Sequence, residues 1–430
     1  MKSKMQLKIN ELEMALGLTP TLNIHIDEIL SHPLELNSSF DSSLYIGDNL
    51  AYLRSFAETT PNIIDLCYID PPYNTGNKFI YHDNRKAITS SIFGKHGEWM
   101  SFMLPRLACA HELLKKTGII AISIDDYEYA YLKILMDQIF GEDNFIGCIV
   151  VCRSKNGKGS NRNIATSHEY LLIYGKSSKA SLVGLPDDDT LYNKNDEYGH
   201  YKIDGLFRKK GEASLRSDRP NMFYPLYVNP KTGHVSTEAK SELVEIYPID
   251  SKGIERRWLW GRDTAKERSW QLYASNKGVI YVKNYSNVKK RKKVRTLWNE
   301  TSFYTERATN EIKEIFGDKV FDTPKPLSYI SAILDSLADS DALILDFFAG
   351  SATTAHAAAL LNKNDGGKRK TILMENNTLI PEKHLAYKLG FKTIADISLF
   401  RLEKIKSLYS EFSYIDITFS SDKNNSEYKI

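Results

Sequence analysis

An apolar run, Ile63-Ile64-Asp65-Leu66-Cys67-Tyr68-Ile69, stops directly on Asp70-Pro71-Pro72-Tyr73. Two successive prolines fix φ and withhold their N–H groups, so a strand entering this segment has to end there. The chain is thereby committed to a buried strand that delivers a carboxylate and an aromatic ring, on a rigid turn, to one edge of a sheet. In open α/β sheets that edge is where ligands bind.

Further apolar runs rich in β-branched residues, GIIAISI and FIGCIVV, alternate with helix-like stretches such as FMLPRLACAHELLKK and YEYAYLKILMDQIFG. This is the pattern of strands buried on both faces of a mainly parallel sheet. The alternation lapses between 152 and 322, where Lys, Arg, Tyr and Trp dominate between Gly and Pro breaks. It resumes with DALILDFFAG, SATTAHAAALLNK, KTILME and FKTIADISL. Neither half holds enough strands for a sheet of its own. The expected fold is therefore α/β: a doubly wound, Rossmann-like sheet assembled from both ends of the chain, residues 41–151 and 323–410. An α+β or mostly β insertion, 152–322, interrupts it, with a helical lead-in at 1–40 and a tail at 411–430.

At 430 residues the chain is long enough for two or three units with separate cores. Its formal charge is only +3, so any binding of a polyanion has to come from local clusters. Four cysteines with no CxxC pair suggest neither a disulfide framework nor a zinc ribbon, and no metal site is expected. The cationic start lacks a secretory apolar core, and no stretch reaches the length of a membrane span, which points to the cytoplasm.

A second strand-turn-helix follows at Leu345-Asp346-Phe347-Phe348-Ala349-Gly350-Ser351-Ala352-Thr353-Thr354. Small residues there let backbone approach a ligand, and a helix N-terminus favours a negative group. Only Gly350 is a glycine, so the G-x-G-x-x-G turn of a nicotinamide-dinucleotide oxidoreductase is absent. The cofactor expected is smaller, with an adenosine and a carboxylate. The strand TILM ends in Glu375, placed to accept hydrogen bonds from ribose hydroxyls.

The DPPY and DFFAGSATT turns, in this order, resemble the β-class of S-adenosylmethionine-dependent DNA amino-methyltransferases. YIGDNLAYL, HGEWMSFMLPRL, RSDRPNMFYPLYV and FDTPKPLSYI add to the likeness and recur in modification subunits of type III restriction systems and related solitary methyltransferases. The similarity covers most of residues 44–410. It implies that Asp70, Pro71, Pro72 and Tyr73 are catalytic. Asp346, Phe348, Ala349, Gly350, Ser351 and Glu375 would bind S-adenosylmethionine, with Thr323 and Lys325 at its carboxylate end and Asp48 lining its pocket. An Asp at the head of the first motif implies adenine N6 rather than cytosine N4 as the methylated amine. Double-stranded DNA is the implied partner, with room left for a homodimer and for a separate restriction subunit; the alternative readings are a cytosine-N4 enzyme or a modification subunit active mainly in complex with that restriction subunit.

DNA contact is expected mainly on the insertion, at Lys289, Lys290, Arg291, Lys292, Lys293 and Arg295, and at Arg208, Lys209, Lys210, Arg216 and Arg219. Clustered cations neutralise phosphates, whereas base reading needs fewer, better-placed side chains. Residues 74–96 are expected to form a loop that closes over the target base. Asp125-Asp126 reads as a helix cap, His111, His168 and His356 as packing or surface residues, and Cys148 and Cys152 as packing residues.

Overall fold

The computed structural model describes residues 4–18, 40–74, 93–157, 163–186, 191–286, 291–409 and 415–419. They fall into two compact units, residues 1–185 with 293–430, and residues 186–292.

The first unit is built on a nine-stranded sheet. In chain order its strands are β1 (Ser42–Ile46), β2 (Ile64–Ile69), β3 (Leu114–Ile124), β4 (Phe145–Cys152), β5 (His168–Gly175), β6 (Leu297–Trp298), β7 (Leu343–Asp346), β8 (Lys370–Glu375) and β9 (Ile415–Phe419). Their order across the sheet is β6-β4-β5-β3-β2-β7-β8-β1-β9. All neighbours run parallel except β5, which is antiparallel to both β3 and β4. Both ends of the chain thus meet in one sheet, as expected. Residues 152–322 contribute β5 and β6 to it as well as the whole second unit, and residues 411–430 contribute β9.

Side chains alternate across β2 into two cores. Cys67 and Ile69 pack with α2 (Asn49–Thr59), α3 (Gly97–Leu113) and α4 (Tyr129–Phe140). Leu66 and Tyr68 pack instead with α6 (Leu327–Leu337) and α7 (Thr353–Asp365). The period of two, with helices on each face, is why these strands read as continuous apolar runs. α1 (Lys4–Ala15) sends Met5 and Ile9 into the first core, while α5 (Thr305–Phe316) and α8 (Ile394–Leu408) share a smaller cluster.

Strands β2 and β7 lie side by side, with Leu66 opposite Ile344 and Cys67 opposite Leu345. From there the chain proceeds outward in opposite directions, β2 to β3 and β7 to β8. This is the topological switch point, where the strand ends diverge and leave a crevice.

The second unit is mostly β. One antiparallel sheet joins Leu226–Asn229 to His234–Ser236 and Val244–Ile246, and another joins Lys194–Asp196, Gly199–Leu206, Ile280–Tyr285 and Leu272–Ala274. Phe207 stacks on Trp258 in its core, ring centroids 5.3 Å apart.

Candidate active site

Five strand ends share one edge of the main sheet. β7 ends at Asp346 and β8 at Glu375, while Asp70 directly follows β2 and Arg153 directly follows β4. β5 runs the other way, with Tyr170 opposite Ile124 and His168 opposite Cys152, so its first residues His168 and Glu169 reach the same edge. A cavity of about 900 Å³ opens there. Its lining includes the turn Asp70-Pro71-Pro72-Tyr73, the turn from Phe348 to Ser351, and Asp346 and Glu375. Thr323 and Lys325 line it as well. The two motifs that the sequence keeps far apart therefore face one space.

The Asp70 turn is braced from several directions. Trp99 Nε1 donates to the Pro72 carbonyl at 2.7 Å. Asn74, at φ +55°, donates to the buried Glu128 carboxylate at 2.6 Å. His96 Nδ1 lies 2.9 Å from the same Glu128 oxygen, so both borders of the segment after the turn rest on one carboxylate. Residues 75–92, most of the expected loop, lie outside the described residues.

Asp70 Oδ1 accepts from Tyr73 Oη at 2.5 Å and pairs with Lys325 Nζ at 2.9 Å. Neither contact falls on Oδ2. Lys325 Nζ also donates to Tyr73 Oη at 2.7 Å and to Glu169 Oε2 at 3.0 Å. Arg153 NH1 stands 3.2 Å from the same Glu169 oxygen. Burial pushes the Asp70 carboxyl above its ordinary pKa; Lys325 opposes the rise and Glu169 adds to it. Burial acts on Glu169 too, but Arg153 and Lys325 outweigh it and hold that carboxyl below the usual range.

The Asp346 turn is tied internally. Asp346 accepts from the Phe348 N–H at 3.1 Å and from Thr354 Oγ1 at 2.5 Å. Glu375 accepts from the N–H groups of Gly350 at 2.7 Å and Asn376 at 3.0 Å. Burial lifts the Asp346 carboxyl to about 7 and Glu375 to about 8. Gly350 has φ +53° and Ala352 φ +59°, so the chain turns through left-handed backbone before α7 starts. α8 holds the turn from behind: Ser398 Oγ donates to the Gly350 carbonyl at 2.5 Å, and the buried Arg401 donates to Thr353 Oγ1 at 2.8 Å.

Asp48 is not among the residues lining the cavity. It caps α2 through the Leu50 N–H at 3.0 Å and pairs with Arg106 at 3.2 Å. The family resemblance implies a pocket role for Asp48, although an Asp after a glycine also simply makes turns, and here a helix start and a buried guanidinium claim it. Lys325, expected at the cofactor's carboxylate end, is tied to Asp70, Tyr73 and Glu169.

Arg153 and Glu169 carry no recognisable signal in the sequence. Each sits at the end of a strand in a stretch expected to lie outside the sheet, and only the register of antiparallel β5 brings them to Lys325. The Asp125-Asp126 pair does not cap α4, whose N-cap is Glu128. Asp125 accepts instead from the Tyr127 N–H at 3.0 Å, and Asp126 from Tyr170 Oη at 2.8 Å. His168, also on the cavity wall, bonds Tyr170 Oη at 2.9 Å. Among the described residues no group of three or more His, Cys, Asp or Glu could hold a metal ion.

Of the expected phosphate contacts, Lys289 and Lys290 lie outside the described residues. Arg291, Lys292, Lys293 and Arg295 are exposed, as are Lys210 and Arg219. Lys209 is half-buried. Arg216 lies 3.0 Å from Glu255 and 4.3 Å from the centroid of the Phe223 ring, and Arg208 lies 3.9 Å from Asp250. Among the described residues no helix is long and apolar enough to cross a membrane.

A family model described as DNA methylase matches residues 64–392. The type II methyltransferase M.KpnI of Klebsiella pneumoniae is 65% identical over 408 residues, covering 95% of this chain and 97% of that protein. The EcoPI Mod subunit, from a type III restriction-modification enzyme of Escherichia phage P1, is 32% identical over 86% of this chain. The StyLTI Mod subunit of Salmonella typhimurium, also type III, is 31% identical over 90% of it. The chain spans 63% and 60% of these two subunits' own lengths. Among solved structures, the PvuII cytosine-N4-specific DNA methyltransferase aligns over 90% of this chain and 97% of its own, at 14% identity and a TM-score of 0.43. With the family model matched across most of its length and M.KpnI matched almost end to end, the chain belongs to the DNA methylase family.

Proposed function

We propose that the chain transfers the methyl group of S-adenosylmethionine to the N6 amine of an adenine turned out of double-stranded DNA. The observation that carries this reading is the state of Asp70: its Oδ1 is occupied by Tyr73 and Lys325 while its Oδ2 faces no partner among the described residues.

An exocyclic amine is a poor nucleophile because its lone pair is delocalised into the ring. Hydrogen bonds drawn from its two N–H groups localise the pair and stabilise positive charge as it develops. Asp70 Oδ2 would accept one. A backbone carbonyl of the Pro71-Pro72 turn, which Trp99 braces through the Pro72 carbonyl, would take the other. As the new N–C bond formed and the methyl group left the sulfonium sulfur, which departs as a neutral thioether, the amine proton would pass to Asp70 Oδ2. Tyr73, its hydroxyl anchored, would offer a fixed ring face for the base to stack on, since an amine inside the duplex is out of reach until the nucleotide flips.

The residues fit the proposed cofactor. The cavity combines apolar side chains suited to an adenine, Phe348, Phe321 and Ile394, with the Glu375 and Asp346 carboxylates. Glu375 would hold the ribose hydroxyls, and the Phe348-Ala349-Gly350-Ser351 backbone would hold the donor against the sheet edge. When bound, the cofactor supplies a methyl group on a sulfonium centre, an electrophile that needs only an amine in line with it.

The likeness to M.KpnI and to the Mod subunits favours a role in a restriction-modification system or as an orphan enzyme, with any nuclease on a separate polypeptide. The test is to incubate the purified chain with tritiated S-adenosylmethionine and unmethylated duplex DNA, digest to nucleosides and separate them. Label in N6-methyldeoxyadenosine is expected. Label in N4-methyldeoxycytidine overturns the choice of base, and unlabelled DNA overturns the activity.

A further inference from the structure

Asp70 and Glu169 are two carboxylates held in one buried cluster with two cations, Lys325 and Arg153. Lys325 Nζ touches both acids, at 2.9 and 3.0 Å, and Arg153 touches only Glu169, at 3.2 Å. Glu169 is 1% exposed, so its charge cannot be screened by water.

We propose that Glu169 and Arg153 are positioning residues for the methyl-transfer turn: Glu169 holds Lys325 Nζ against Asp70 Oδ1, and Arg153 neutralises Glu169 so that Asp70 remains an ionised acceptor. The proposal deepens the reading of the site given above and rests on it. Without Glu169, nothing on the β5 side fixes the ammonium between the acids. Without Arg153, a second buried carboxylate acts on Asp70 with one cation shared between them, and an uncompensated like charge disfavours the ionised form of Asp70.

Several ionisable groups act on Asp70, and Asp125, just after β3, acts in turn on Arg153 and Glu169. Those acting on Asp70 are Tyr68 on its own strand, Tyr73 on the turn, Glu169 on β5, Arg153 after β4, Lys325 and Tyr329 around the start of α6, and Asp346 at the end of β7. Tyr68 and Tyr329 are linked through Ser123, at 3.1 and 3.3 Å, and burial raises both phenols, so they stay neutral near pH 7. The charge acting on Asp70 is therefore decided by Lys325, Glu169, Arg153 and Asp346. Of these, Glu169 and Arg153 can be altered without removing an atom that touches Asp70.

The experiment reads Asp70 directly. Aspartate labelled with ¹³C at Cγ is followed by NMR over pH in the full-length protein, the resonance being assigned by its loss in Asp70→Asn. Glu169→Gln, which keeps an oxygen to accept from Lys325 Nζ and removes only the negative charge, is expected to lower the Asp70 titration midpoint by roughly half a pH unit or more, and Arg153→Met to raise it by a similar amount. The double variant should return toward wild type, and the acid limb of single-turnover methyl transfer should move in the same order. A merely structural role would slow turnover without moving the midpoint in opposite directions. An Asp70 midpoint unmoved in Glu169→Gln, or displaced the same way in every folded variant, overturns the proposal. Because the titration needs no substrate, failure of methyl transfer in the wild-type protein would count against the proposed function and leave this measurement standing.

Discussion

Glu375 Oε2 accepts the backbone N–H of Gly350 at 2.7 Å, which ties the end of β8 to the turn after β7 and fixes the floor on which an adenosine would rest. Burial sets the Glu375 carboxyl at about 8, so near neutral pH it is mostly protonated. Ribose hydroxyls donate to a carboxylate, and binding would favour the ionised form. Affinity for S-adenosylmethionine is therefore expected to rise with pH, approaching roughly tenfold per unit below pH 8 and levelling above it. The sign reverses for folding. The folded protein keeps a proton that the unfolded chain sheds near its ordinary pKa, so stability declines as pH climbs from the ordinary carboxylate range toward 8. Glu375→Gln should flatten both trends, weakening cofactor binding while raising the melting temperature of the ligand-free protein at pH 8; calorimetric titration and thermal unfolding over pH check the two arms.

Asp70→Ala removes the acceptor for the target amine and leaves Lys325 with Glu169 and the Tyr73 hydroxyl. Methyl transfer is expected to fall by about 10³-fold or more. The cofactor turn shares no hydrogen bond with Asp70, so the rise in melting temperature caused by S-adenosylhomocysteine should persist. Near-normal turnover by this variant would remove Asp70 from the role assigned to it.

Gly350 combines φ +53° with a position where an added Cβ would stand 3.2 Å from Phe321 Cζ. A side chain there incurs left-handed backbone strain and must displace a ring that lines the cavity. Gly350→Ala is expected to destabilise by about 1–2 kcal/mol and to weaken cofactor binding, because its N–H and carbonyl serve Glu375 and Ser398. Unchanged affinity in equilibrium dialysis would mean that the turn adapts.

How much of the fold and site is legible in the sequence follows from how local each signal is. The Asp70 turn can be read because two prolines end a strand whatever surrounds them, and the Asp346 turn because small residues follow an apolar strand. The meeting of the two ends of the chain, seen in the pairing of Leu66 with Ile344, follows from strand counting, since neither half supplies a full sheet. β5 is hidden because its apolar run lies inside a polar stretch and runs against its neighbours. With β5 goes Glu169, whose place beside Lys325 depends on its pairing with Val151 of β4. Lys325 is a candidate only through the family resemblance, and no local pattern reports its contact with Asp70 across the sheet edge. Asp48 illustrates the opposite limit: an N-cap and a pocket acid look alike until Arg106 is seen beside it.

The two cationic clusters should behave differently toward DNA. Arg291, Lys292, Lys293 and Arg295 are exposed on a short stretch, so phosphates can reach them. Arg216 is held by Glu255 at 3.0 Å and packs on Phe223, and Arg208 shares Asp250 with Arg256. Replacing the four residues of the first cluster by alanine is expected to reduce the slope of log K against log salt by about one unit for each phosphate that is no longer neutralised. Arg216→Ala should leave that slope nearly unchanged and lower thermal stability slightly, because it removes a surface ion pair and the packing of a guanidinium on a ring. Fluorescence anisotropy across a salt series distinguishes the two. An unaltered slope after the fourfold substitution would move the phosphate-binding surface elsewhere on the protein.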